Sequence, residues 1–241
     1  MLKIRPITAF QDNYIWMIQN GNHVAVVDPG DAAPVVSALQ KENLTLDAIL
    51  ITHHHNDHIG GVQSLLKAYP TKIFAPANES FDFPHQPVHE NDLIQLPNLR
   101  LNLSVLDIPG HTIGHVAYYG LNHLFCGDTL FGGGCGRLFE GTYEQLFNSL
   151  QKLAALPDDA MYVHGIAMHL LEIAVHESDI SHIDPVPSGI NEFTIHITNV
   201  LQLAIEGMPV KGDAIYHFLR HCLCGFVKRH CAPLRIEQAD L

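Results

Sequence analysis

From Thr52 to Gly61 the chain reads Thr-His-His-His-Asn-Asp-His-Ile-Gly-Gly, directly after the apolar segment Ala48-Ile49-Leu50-Ile51. His53, His55 and His58, with the carboxylate of Asp57, therefore fall on one short turn at a predicted strand end. Neutral imidazole and carboxylate oxygen are donors that divalent zinc or iron accepts, and gathering them on one loop requires something cationic for them to converge on. Loops at strand ends are where such sites are built. The pattern points to a pair of divalent cations and hydrolytic chemistry.

Two further clusters supply ligands of the same type. Gly110-His111-Thr112-Ile113-Gly114-His115 follows the apolar run Val105 to Pro109, which puts His111 just past another predicted strand end. Phe125-Cys126-Gly127-Asp128-Thr129 repeats the arrangement: an apolar lead, a glycine that lets the backbone turn tightly, then a carboxylate. Either cluster alone reads as an ordinary turn. Three of them at strand ends in one chain of domain size read as one site.

Periodicity places the intervening elements. Strands are predicted at Val24 to Val27, Lys72 to Ala75, Leu101 to Ile108, Val116 to Gly120 and His123 to Cys126. Helices are predicted at Ala33 to Glu42, Gly60 to Tyr69 with Pro70 closing it, and Tyr143 to Ala155. On this pattern alone the chain is a mixed α/β domain.

Composition narrows the function classes. The formal charge of −12 excludes a phosphate-backbone partner, which needs clustered Lys and Arg, so no nucleic acid is expected. No stretch is long and apolar enough to span a bilayer, and the N-terminal residues lack an apolar signal core. No membrane association is expected, and the expected location is the cytoplasm, with a monomer as the default. Five cysteines, an odd number, fit a reducing compartment better than a disulfide scaffold. Cys126 and Cys135, on either side of Asp128, read as packing residues.

The set THHHNDH, GHTIGH and GDT resembles the metallo-β-lactamase superfamily. The words around it narrow the likeness: Asp12-Asn13-Tyr14-Ile15-Trp16, Val27-Asp28-Pro29-Gly30-Asp31, and Gly134-Cys135-Gly136-Arg137-Leu138-Phe139-Glu140-Gly141-Thr142 resemble glyoxalase II, the hydroxyacylglutathione hydrolases. The resemblance covers residues 1–160 and implies an αββα sandwich. It also implies a thioesterase that converts S-lactoylglutathione to lactate and glutathione, the second step of methylglyoxal detoxification. By the same likeness His53, His55 and His111 would hold one metal, Asp57 and His58 the other, and Asp128 would bridge the two, with Asp57 and Asp128 serving the catalysis. His54 would be a non-ligand. Arg137 and Phe139 would contact the glutathione part of the substrate, Arg137 because its planar fork suits a carboxylate. The implied cofactors are two divalent ions, zinc first, with iron or manganese also compatible. Water held between them would lose a proton near neutral pH and attack the thioester carbonyl. Either Asp28 or Thr52 could orient the imidazoles from behind.

The likeness stops near residue 160. Family chains continue into a strand ending in a Gly-His-Glu-aromatic-Thr motif whose His completes the second metal site, followed by a small helical domain. Here residues 160–169 read AMYVHGIAMH, and neither feature is present. Residues 161–241 are therefore read as a divergent, atypical C-terminal segment, either drifted freely or produced by a changed reading frame. His164 is the nearest substitute for the missing ligand and His169 the runner-up. His221-Cys222-Leu223-Cys224 lacks the two-residue Cys separation of structural zinc sites. Two other readings stay open: a hydrolase of the same fold acting on lactones, β-lactams or other esters, and a metal-binding chain impaired in catalysis.

Overall fold

A computed structural model of the chain describes residues 2–11, 13–131, 134–157 and 160–163. His164, His169 and the remainder of the C-terminal segment lie outside the described residues. In chain order the elements are β1 (Lys3–Ala9), β2 (Asn13–Asn20), β3 (His23–Val27), α1 (Ala32–Glu42), β4 (Thr45–Leu50), α2 (Asn56–Ile59), α3 (Val62–Ala68), β5 (Lys72–Pro76), β6 (Gln86–Val88), β7 (Leu93–Leu96), β8 (Leu101–Asp107), β9 (Val116–Gly120), β10 (His123–Phe125), β11 (Leu130–Phe131), β12 (Gly134–Cys135), α4 (Tyr143–Ala154) and β13 (Met161–Val163). They build a six-stranded sheet in the order β1 to β6 and a five-stranded sheet in the order β13-β10-β9-β8-β7. β11 and β12 form a separate ribbon.

Side-chain alternation explains why the sheets stack. β3 sends Val24 and Val26 to one face, where they join Ile15, Met17, Ile49 and Ile73 with Val35 and Leu39 of α1 and Leu65 of α3. It sends Ala25 and Val27 to the other, where Ala48, Leu50 and Phe74 meet Leu103, Val105, Val116, Tyr118 and Phe125 of the second sheet. The first sheet is thus covered on both faces, which is why its central strands read as continuous apolar runs. Each fully buried Leu, Ile or Val here contributes roughly 1.5–3 kcal/mol.

The register of β4 depends on one irregularity. Pairing runs Val24↔Leu46 and then Ala25↔Ala48, so Asp47 is skipped. Without that bulge every later β4 side chain would exchange faces, and the segment entering the Thr52 turn would be inverted. The exit of β4 is fixed by Tyr118, whose hydroxyl donates to the Ile51 carbonyl at 2.6 Å from the second sheet.

Helices α1 and α4 start where their caps dictate. Asp31 accepts from Ala33 N at 2.9 Å, and Thr142 with Gln145 forms a reciprocal capping box at α4. The helix predicted at Gly60 to Tyr69 is corrected: one turn, α2, begins at Asn56, and α3 starts after Gly60-Gly61. Asp57 and His58 therefore stand on a helical turn, not on an extended loop.

Candidate metal centre

The site is assembled from the ends of four strands. Asp28 follows β3, Thr52 to His58 follow β4, His111 follows β8, and Asp128 follows β10. Burial is nearly complete for His53, His58, His111 and Asp128. At Gly127 φ is +48°, the left-handed region where an L side chain is strained, and a Cβ there would also overlap Thr52 Oγ1. That turn delivers Asp128 into the site.

Three imidazoles meet at one point. His55 Nδ1 lies 3.1 Å from His53 Nε2 and 2.9 Å from His111 Nε2. The far nitrogens show where the protons are. Thr52 Oγ1 donates to Asp28 Oδ2 at 2.7 Å, so at 3.0 Å it accepts from His53 Nδ1. His111 Nδ1 donates to the Arg137 carbonyl at 2.7 Å. Both inward nitrogens, His53 Nε2 and His111 Nε2, therefore present lone pairs, and His55 has one Nδ1 to set against the two. This surplus of lone pairs fits a cation. Burial, reinforced by neighbouring histidines, lowers the pKa of His53 well below the ordinary value, and burial likewise lowers His55 and His111. The three rings are neutral at pH 7 and free to ligate.

The second cluster is anionic. His58 Nε2 is 3.2 Å from Asp128 Oδ1 and 3.5 Å from Asp57 Oδ2, while its Nδ1 faces Asp28 Oδ2 at 3.0 Å. Asp128 Oδ2 reaches back to His111 Nε2 at 3.5 Å, so this carboxylate touches both clusters. Burial alone would lower His58, but Asp28, Asp128 and Asp57 outweigh it and raise its pKa well above the ordinary value. Contact with His58, helped by an amide hydrogen bond from Asn13 at 2.9 Å, holds the Asp57 carboxyl far below its usual range. Both ring nitrogens of His58, and Asp128 Oδ1, are buried and face opposite charge at 3.0–3.2 Å, yet among the described residues none of these contacts has good hydrogen-bond geometry. Buried polar atoms met only by such poorly aligned contacts are ones a second cation would satisfy.

Within the described residues, His53, His55 and His111 form one group able to hold an ion, and His53, His58 and Asp128 another. Asp57 stands beside the second group through His58. The question left open between Asp28 and Thr52 resolves into a division of labour: Thr52 orients His53, Asp28 orients His58, and Asp28 also accepts from the Thr52 backbone N–H at 2.8 Å.

The GCGRLFEG segment wraps this centre. A Cβ at Gly136 would overlap the Asp128 carbonyl oxygen, so only glycine allows the approach. Arg137 is exposed, and its backbone carbonyl orients His111. Phe139 is 63 % exposed and sets its ring edge-on to His55 and His111, at centroid distances of 5.0 and 5.1 Å. His54 turns away from the cluster toward Glu79 and Glu140.

His115 is not among the expected site residues, yet it is fully buried and stacked on His53 at 4.5 Å. Its Nδ1 donates to the Val116 carbonyl, leaving Nε2 to accept from Asp128 N at 3.3 Å. Burial pushes its pKa down to about 3, which matches that neutral tautomer. The second His of GHxxGH was the signal that could have found it.

Comparison with known proteins agrees with this geometry. A family model described as the metallo-beta-lactamase superfamily matches residues 9–165. The chain is 59% identical over 157 residues to a hydroxyacylglutathione hydrolase of Methylobacillus flagellatus, covering 65% of this chain and 63% of that one. It is 57% identical over 161 residues to a protein of the same name from Photobacterium profundum, covering 66% and 63%. The match thus spans less than two thirds of the length of these relatives. Among solved structures, ETHE1 from Myxococcus xanthus is 27% identical with a TM-score of 0.63, covering 69% of this chain and 76% of that one. A di-iron-bound form of TTHA1623 is 28% identical with a TM-score of 0.57, covering 67% and 91%.

Proposed function

This chain belongs to the metallo-beta-lactamase superfamily, and on that premise we propose that it hydrolyses a glutathione thioester, S-lactoylglutathione, to lactate and glutathione. The observation that carries the reading is the surplus of lone pairs at His53, His55 and His111, lying in the segment shared with relatives named hydroxyacylglutathione hydrolase. In this reading His53, His55 and His111 would hold one divalent cation, Asp57 and His58 the other, and Asp128 would serve both. Zinc is the first choice, and iron or manganese also suits mixed imidazole and carboxylate donors.

Seated there, divalent cations supply Lewis acidity and make solvent a nucleophile near neutral pH. The protein's part is orientation and exclusion of competing chemistry. Thr52, Asp28 and the Arg137 carbonyl each fix one imidazole, and orienting partners of this kind are worth about 10- to 100-fold in metal affinity. No side-chain nucleophile is needed, and Cys126 is unsuited to be one, because burial pushes its thiol up to about 12. The departing group is a thiolate whose parent thiol has a pKa of roughly 8.5, so no protein acid has to protonate it. Arg137 and Phe139, both exposed beside His111, are placed to meet the glutathione moiety. We place this activity in a soluble cytoplasmic monomer; among the described residues no helix is long and apolar enough to cross a membrane.

The purified 241-residue chain, stripped and reloaded with zinc, should hydrolyse S-lactoylglutathione with two ions bound in the two clusters. A lactone and a β-lactam run beside it separate the alternatives. Turnover of either of those without thioester turnover sinks the glutathione reading, and inactivity on all three favours a binding protein.

A further inference from the structure

His54 is the middle one of three successive histidines, and it faces away from the two that flank it. Its Nδ1 lies 3.0 Å from Glu79 Oε2 and its Nε2 3.3 Å from Glu140 Oε1. Each of those carboxylates has a second attachment. Glu79 Oε1 accepts from the Thr112 hydroxyl, and Glu140 Oε2 accepts from Ile113 N at 3.0 Å. Thr112 adjoins His111. Glu140 follows Phe139, whose N–H donates to the His111 carbonyl at 3.1 Å. One imidazole thus joins the turn carrying His53 and His55 to the turn carrying His111, through two carboxylates from two further segments.

The Glu79 side chain is only 2% exposed. Its Oε2 accepts no hydrogen bond among the described residues, so His54 is what it is built against. Gly114 closes over it so tightly that a Cβ there would overlap Glu79 Cγ. A buried carboxylate is costly unless a partner faces it. This one is held in place between two turns that contain ligand-type histidines.

We propose that His54, with Glu79 and Glu140, is a positioning group that fixes the gap between His55 and His111 and so sets the affinity of the three-imidazole cluster for a divalent cation. The proposal rests on the metal assignment above and deepens it. It does not depend on the identity of the substrate.

Zinc titrated into the metal-free chain against a chromophoric chelator tests it. The binding step of the three-imidazole cluster is first identified as the one that H55A removes. H54A should weaken that step about 10- to 100-fold, the cost of losing an orienting partner, and leave the His58 and Asp128 step within about twofold. Melting of the metal-free chain reads out any general damage. An unchanged step overturns the proposal, as does equal weakening of both steps with a lower melting temperature, which marks a merely structural role. If H54A does not fold, E140Q decides, because the Glu140 side chain is 38% exposed and far less buried than Glu79. E140Q should weaken the same step about two- to fivefold, the scale of a partly solvated pair, and no selective change overturns the proposal. No thioester enters this assay, so a failure of hydrolysis would count against the proposed function and leave the binding result standing.

Discussion

The two donor clusters lie side by side, yet opposite forces keep their histidines poised. Around His53, His55 and His111 burial, helped by neighbouring imidazoles, outweighs the pull of Asp128 and Asp57 on His111 and of Asp57 on His55, and all three pKa values fall. Around His58 three carboxylates, Asp28, Asp57 and Asp128, overcome the same burial and raise it. A cation held by His53, His55 and His111 with one oxygen of Asp128 would keep more of its charge than one held by His58 with both Asp57 and Asp128. Asp128 joins them, since its oxygens stand 3.2 Å from His58 and 3.5 Å from His111.

Removing that joint should have the largest effect. Asp128→Ala should weaken zinc binding at both clusters and reduce turnover by more than about 100-fold, beyond what loss of an orienting partner costs. Metal content per chain and thioester hydrolysis measured together check it. Retention of two ions and undiminished turnover would remove the bridge from the scheme.

Next in size is Gly136→Ala. The new Cβ would meet the Asp128 carbonyl oxygen, so either the Arg137 to Phe139 segment or the Asp128 turn must shift. Overpacking of this kind costs about 1–3 kcal/mol, and a displacement near 1 Å at reacting groups costs about 100-fold in rate. Thermal melting and kcat read the two effects separately, and a variant with wild-type kcat would show that the segment does not buttress the bridge.

Asp28→Asn and Thr52→Val act on the two clusters differently. Thr52→Val strips the acceptor from His53 Nδ1 and should weaken only the three-imidazole step, by about 10-fold. Asp28→Asn should weaken the His58 step by about 10- to 100-fold, and the other step too, because Asp28 also holds Thr52 through two hydrogen bonds. Chelator competition resolves the steps. If Thr52→Val disturbs both equally, the division of labour between these two residues is wrong.

Much of this is legible in the sequence. Strand ends at Leu50, Asp107 and Phe125 could be read from apolar runs that stop at His- or Asp-bearing turns, and those ends deliver the ligand-type residues. The capped helices α1 and α4 were equally plain. What escaped was set by tertiary geometry. The bulge at Asp47 leaves no mark in a run of alternating residues, since a skipped residue appears only when a partner strand is present. The break of the predicted 60–69 helix into α2 and α3 depends on Gly61 closing against the Pro29 to Ala32 backbone, a contact distant in sequence. β6, β11, β12 and β13 are two or three residues long, too short for any period to register. The His54 clasp escapes for a related reason: its partners, Glu79 and Glu140, lie far along the chain, and no spacing rule encodes them.

The mildest test uses acidity alone. In the metal-free protein the raised pKa of His58 means that a cation must displace its proton at any pH below that value, so this step should tighten as pH rises, by at most about tenfold per unit for one proton. His53, His55 and His111 are lowered below the ordinary histidine range and have already lost their protons by pH 7, so their step should stay flat from neutrality upward and weaken only in acid. Zinc affinities from chelator competition between about pH 6.5 and 8.5 would then give one sloping and one level line. Two parallel lines would mean that the carboxylates around His58 do not hold its proton, and the electrostatic contrast between the clusters would fail.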